Sequence, residues 1–165
     1  MRQALPVVPR HGAGAKDDHR HLGESIFDHP CRWCSKRTGP DLHRVGGKYS
    51  DDWHRIHLNN PRDLVPESNM PPYRFLADQD LDQHAIQAKL RTMLTVGVPY
   101  TADQIENAAA DLNAQVDPFA SATSDLRSRY GPRVAQGDFD GNPDRLTKMD
   151  ALIAYLQQLG TQVDF

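Results

Sequence analysis

The sequence predicts an all-α chain with long loops. Two observations carry this reading. Apolar residues recur at helical spacing in windows that each follow a capping residue. No useful stretch alternates apolar and polar with the period of two that a half-buried strand needs. No internal repeat appears, and 165 residues suffice for one domain with a real core.

Residues 1–30 carry Pro, Gly and His11, His19, His21 and His29 with no apolar period, and read as disorder or extended coil. His19-Arg20-His21 reads as a solvated tail rather than a metal site. Residues 31–48 are loop-like, with Cys31 and Cys34 spaced C-x-x-C and Gly46-Gly47 near the end. Ser50 is expected to cap a short helix with Asp51 and Asp52 in its first turn, where carboxylates favour the helix dipole. Trp53, Ile56 and His57 are expected on one face, and Asn59-Asn60-Pro61 ends the helix. Residues 61–77 form a loop punctuated by Pro61, Pro66, Pro71 and Pro72, holding Met70. Read alone, such a methionine is a plug for a gap in the core.

Asp80 is expected to cap a helix over 81–94, with Leu81, Ile86, Leu90, Met93 and Leu94 inward and Gly97 as the stop. Thr101 and Gln104 form a capping box, Tyr100 can staple to Ile105, and that helix should run to about Val116. Its inward side is Ile105, Ala108, Ala109 and Leu112. Residues 117–146 are polar and turn-rich. The stretch Asp138-Phe139-Asp140-Gly141-Asn142 is rejected as a calcium loop, because glycine falls at the wrong position and Met149 stands where the bidentate Glu is needed. Thr147 opens the last helix, 148–159, with Met149, Leu152, Ile153, Leu156 and Leu159 on one side and Gly160 at its end.

Composition narrows the function. Net charge is −3 and pI about 6.2, which argues against a nucleic-acid partner. Residues 1–48 carry nine Lys/Arg against five Asp/Glu, or +4; residues 49–165 carry ten against seventeen, or −7. That asymmetry suits either electrostatic docking or two ordinary solvated faces. Mean hydropathy is −0.67 and aromatics are 7%. The core must therefore lean on Leu, Ile, Val and Ala, or on something that is not protein. No window approaches a membrane span, and Met1–Ala15 does not read as a signal peptide. Two cysteines at this spacing suggest a thiol pair, half a metal site, or part of a haem-attachment motif.

Four features stand in order: Gly39-Pro40-Asp41-Leu42, Gly46-Gly47-Lys48-Tyr49, Trp53, and Pro66-Glu67-Ser68-Asn69-Met70-Pro71. This order and spacing resemble the distal half of a small class I cytochrome c. From Gly23 to the C-terminus the chain resembles the monohaem subunit (subunit II) of the cbb(3)-type cytochrome c oxidases. The residues that carry this are Gly23–Pro30, Ser35–Leu42, Val45–Asp51, Gly97–Thr101, Asp138–Pro143, and Met149–Leu152 through Gly160-Thr161. The resemblance implies a class I cytochrome c-like domain over 23–165 and an irregular segment over 1–22. It implies haem c, with Met70 as distal axial ligand and Pro40 supporting the proximal side. Tyr49, Trp53 and Arg37 would then lie near the propionates. It implies a non-catalytic subunit that relays electrons to the catalytic haem–copper subunit, beside a dihaem cytochrome c subunit. The family is anchored by one N-terminal membrane helix, with the haem domain periplasmic.

The chain departs from that pattern at its N-terminal side. Residues 1–22 hold no cysteine and no apolar helix, and the pair Cys31/Cys34 is followed by Ser35, not His. The expectation is a C-terminal portion of the subunit, without the membrane helix and the C-x-x-C-H motif. Attachment at Cys31 and Cys34 would need a remote proximal ligand such as His29 or His43, and a zinc site would need two more ligands, so the pair reads as incidental, reduced or forming a strained local disulfide. The rival reading is a haem-free fragment that only docks on the oxidase.

Overall fold

In the computed structural model, the described residues are 42, 44–117, 119, 121–142 and 144–161. They form six α-helices and two single 3-10 turns. Among them the only β pairing is an isolated bridge between Asp80 and Thr147. No described helix is long and apolar enough to cross a membrane.

Helix α1 (Asp51–Asn59) starts where expected. The Ser50 hydroxyl accepts from the Trp53 amide at 3.2 Å, and Asp51 and Asp52 occupy the first turn. Trp53 and His57 share a face, as expected, and their rings stack, while the residues the helix buries are His54 and Leu58. Residues i and i+4 share a helix face, and Leu58 is the apolar residue with a core to meet. Beyond Asn60 the chain makes a 3-10 turn at Pro61–Asp63 and another at Arg74–Leu76.

The next helix, α2, spans Ile86–Thr95 and not 81–94. Asp80 does not cap it. Residues 80–81 run extended instead: the Leu81 amide donates to the Leu146 carbonyl at 2.9 Å, and the Asp80 carboxylate takes Arg145 Nε at 3.0 Å. Asp82 accepts from the amides of His84 and Ala85 at 3.1 and 3.2 Å just before the helix begins. Ile86 and Leu90 are buried, whereas Leu94 is exposed.

The capping box at Thr101 and Gln104 forms with both hydrogen bonds. The helix behind it is broken in two, α3 (Ala102–Glu106) and α4 (Ala108–Val116). Asn107 makes the break. Its side-chain amide donates to the Asp103 carbonyl and carboxylate at 3.0 and 2.8 Å, a local alternative to helical pairing. The turn-rich stretch 117–146 contains a further helix, α5 (Thr123–Tyr130), closed by Gly131 at φ +91°. Only Leu126 and Tyr130 of α5 are buried, too few to show as a period. A bidentate ion pair locks it to α4: Arg129 Nε lies 3.1 and 2.9 Å from the two oxygens of buried Asp111.

Helix α6 (Lys148–Gln158) has the strongest start. Thr147 accepts from the Met149 and Asp150 amides, and Asp150 accepts from the Thr147 amide at 2.8 Å. The trio Asp138, Asp140 and Asp150 gathers here. Its oxygens are used within the protein: Asp138 holds the Gly141 and Asn142 amides, Asp140 holds the Asn142 amide and the Thr147 hydroxyl, and Asp150 holds the Asp140 amide.

Packing follows from these faces. Leu58 of α1 meets Met149, Ile153 and Ala154 of α6, with Leu76 and Phe139, in the main cluster. Ile86, Leu90, Ile105 and Ala108 join α2, α3 and α4. Leu81, Leu112 and Ala151 bridge α4 to α6, and Ala114, Leu126 and Tyr130 seat α5 on α4. The core is thus mainly aliphatic, as the low aromatic content requires.

Candidate functional site

Met70 lies on the loop between the two 3-10 turns and is half-buried. It packs against the main cluster, as Tyr73 also does. The backbone here is pinned on both sides of the sulfur-bearing residue. The Met70 amide donates to Ser68 Oγ at 3.2 Å, and the Tyr73 amide donates to the Leu58 carbonyl of α1 at 2.7 Å. Pro71 and Pro72 fill the interval and restrict it further. Leu64, Val65 and Phe75, on the same connection, remain exposed.

Tyr49 and Trp53 are brought together. Their rings stack at 4.0 Å with 17° between planes, and Trp53 stacks on His57 at 4.6 Å and 14°. His54 stands edge-on to both Tyr49 (5.9 Å, 85°) and Trp53 (5.4 Å, 88°). Tyr49 is 44% exposed, so the stack reaches the surface, while His54 is only 4% exposed.

The glycines before Tyr49 explain its position. The Gly46 amide donates to the Leu159 carbonyl at 3.0 Å and the Gly47 amide to Gln157 Oε1 at 2.9 Å. A Cβ at Gly46 would sit 2.3 Å from the Gln157 carbonyl oxygen, so only glycine fits. Gln157 Nε2 in turn donates to the Tyr49 carbonyl at 2.8 Å and to Asp51 at 2.6 Å. The C-terminal end of α6 therefore fixes both Tyr49 and the start of α1.

Electrostatics single out α1. Among the described residues, the buried side-chain nitrogens or oxygens without a hydrogen-bond partner are His54 Nε2, Arg55 Nε and His57 Nδ1, all on this helix. Burial pushes the His54 imidazolium below its ordinary pKa; nearby Asp51 partly opposes this and His57 reinforces it. His57 is lowered by burial as well. Sequence reasoning passed over His54. The signal for it was its place one turn before Leu58 on the apolar face.

Pro40, Arg37, Cys31, Cys34, His29 and His43 lie outside the described residues. The described residues supply the donor types that a haem uses. A half-buried thioether is held on a pinned loop, apolar side chains flank it, and unpaired ring nitrogens stand beside an aromatic stack.

A comparison with curated proteins finds no match. One protein family does match, described as "Cytochrome C oxidase, mono-heme subunit/FixO", over residues 8–163. The match reaches upstream of residue 23, where the residue-by-residue resemblance begins, and includes the Cys31/Cys34 stretch and every helix above. The chain belongs to this family, the mono-haem subunit of cbb(3)-type cytochrome c oxidases.

Proposed function

We propose that the chain serves as an electron relay, receiving electrons beside the dihaem cytochrome c subunit and delivering them to the catalytic haem–copper subunit. The haem domain would work on the periplasmic side of the membrane complex. The observation that supports this best is Met70, a thioether on a loop pinned by Ser68 Oγ before it and by the Leu58 carbonyl after it. A c-type haem, when bound, supplies one-electron chemistry that no side chain here offers.

The chain's own residues hold and tune that group. Met70 presents a soft sulfur that favours the reduced iron and so raises the reduction potential. Its pinned backbone limits movement between oxidation states. Tyr49 and Trp53 would offer a phenol and an indole N–H to the propionates, and the resemblance assigns Arg37 to the same role and Pro40 to support of the proximal ligand. The C-x-x-C-H attachment motif is absent, since Cys31 and Cys34 are followed by Ser35, so covalent attachment is the part of this reading that a haemochrome spectrum must decide.

The test is the chain produced with c-type maturation machinery in the periplasm. A pyridine haemochrome spectrum reads whether haem is covalently held. In haem-loaded protein, Met70→Ala should abolish the weak long-wavelength sulfur-to-iron band and lower the potential. Retention of that band in the variant refutes Met70 as the ligand.

A further inference from the structure

The unpartnered nitrogens on α1 call for an explanation. A buried polar atom without a partner costs free energy, and native structures hold few of them. Here they concentrate in one helical turn, at His54, Arg55 and His57. His54 is the most enclosed of the three, at 4% exposure. It shares the inward face of α1 with Leu58, and Leu58 belongs to the cluster against which Met70 packs. Its ring is also edge-on to Tyr49 and Trp53. His54 therefore lies against the aromatic stack, one turn before a residue of the cluster on which Met70 packs.

We propose that His54 is a cofactor-binding residue whose Nε2–H donates a hydrogen bond to a haem propionate carboxylate. This rests on the haem reading above. Burial keeps the ring neutral near pH 7, so it carries one N–H. A carboxylate is an acceptor only, which complements that single donor. The bond converts an uncompensated buried group into a charge-assisted contact, the stronger kind of hydrogen bond. A merely structural histidine on this face would have its nitrogen satisfied within the protein, as buried Gln115 does through the Ala135 carbonyl at 3.0 Å.

The test titrates the full chain with hemin and, separately, with hemin dimethyl ester, which lacks the two carboxylates. Soret absorbance reads binding to wild type, His54→Leu and His54→Gln. Wild type should prefer hemin over the ester by about tenfold, the effect of one hydrogen bond to a charged group. His54→Leu should lose that preference by weakening hemin alone, and His54→Gln, which keeps an N–H donor, should retain part of it. Circular dichroism checks folding; if His54→Leu does not fold, His54→Met, which fills similar space without an N–H donor, decides, and an unchanged preference in that variant overturns the proposal. Equal weakening of hemin and ester by His54→Leu means a packing role and also overturns it. Absence of any hemin binding by wild type overturns this inference and the haem reading together, whereas binding that ignores His54 overturns this inference alone.

Discussion

Thr147 should be the most costly single hydroxyl to remove among the described residues. Its side chain is fully buried, at 0% exposure. The oxygen accepts from the Met149 and Asp150 amides, both at 3.2 Å, and donates to Asp140 Oδ2 at 2.6 Å. Thr147→Val keeps the shape and deletes the hydroxyl. It forfeits the cap, about 1 kcal/mol. It also leaves a partly buried carboxylate oxygen without its donor, about 1.5–3 kcal/mol more. The expected loss is about 3 kcal/mol, a large share of the ~5–15 kcal/mol by which domains are stable. Thr147→Ser keeps the hydroxyl and deletes one buried methyl, about 1 kcal/mol. Urea denaturation followed by circular dichroism gives both values from midpoints and slopes. If Thr147→Ser costs as much as Thr147→Val, the methyl carries the position and the hydrogen-bond reasoning fails.

The other predictions use different forces. Gly160 has φ +77°, and a Cβ there would meet Arg44 Cα at 2.7 Å; Gly160→Ala should cost at least about 2 kcal/mol, whereas Gly97→Ala, at φ +93° with open space around it, should cost about 1 kcal/mol. Equal values by denaturation would show that the contact with Arg44 is unimportant. Asp111→Ala leaves the Arg129 guanidinium with only the 3.7 Å contact to exposed Asp103 and should cost about 3 kcal/mol, with the Asp111→Ala/Arg129→Ala double variant losing clearly less than the sum; additivity in that cycle would sink the pairing. His54 and His57 have folded pKa values below the ordinary 6.5, so the unfolded chain takes up protons first. Their contribution is present above pH 6.5 and is lost as pH falls from there through the folded values. Denaturation midpoints across that window should fall less steeply in His54→Leu than in wild type, and parallel curves would refute the assignment.

The parts legible in the sequence were those written in local chemistry. Ser50, Thr101 and Thr147 are cap residues with partners within three positions, and each helix start they predict is present. The errors lie where distant groups compete. Asp80 has the chemistry of a cap, but Arg145 and the bridge to Thr147 claim it, so α2 begins five residues later than the expected Leu81. Asn107 interrupts a window that periodicity reads as continuous, since the hydrophobic pattern carries no record of an amide bonding back to Asp103. Helix α5 was invisible because Leu126 and Tyr130 are its only buried residues and much of its hold on the fold is an ion pair to α4. At the site, Met70, Tyr49 and Trp53 stood out through the resemblance, and two of them meet as a stack. His54 did not, because a histidine declares its role only when its partners, or their absence, are known.

The geometry also gives the C-terminal helix a role in the site that its sequence does not advertise. No residue of α6 is a candidate ligand. Yet Met149, Ile153 and Ala154 belong to the cluster on which Met70 packs, and Gln157 holds the Tyr49 carbonyl and Asp51 at the head of α1. One helix thus sets the spacing between the methionine loop and the aromatic stack. Loosening its N-terminal cap should loosen the cluster on which Met70 packs, while filling the Gly160 contact should displace Arg44, in the segment that leads through Gly46 to Tyr49. Thr147→Val and Gly160→Ala should therefore perturb different ends of the same site. In haem-loaded protein the first should weaken the sulfur-to-iron band, and the second should alter the fluorescence of the Trp53 stack with the band preserved. A single common response to both would mean that α6 acts only through overall stability and does not set the site's geometry.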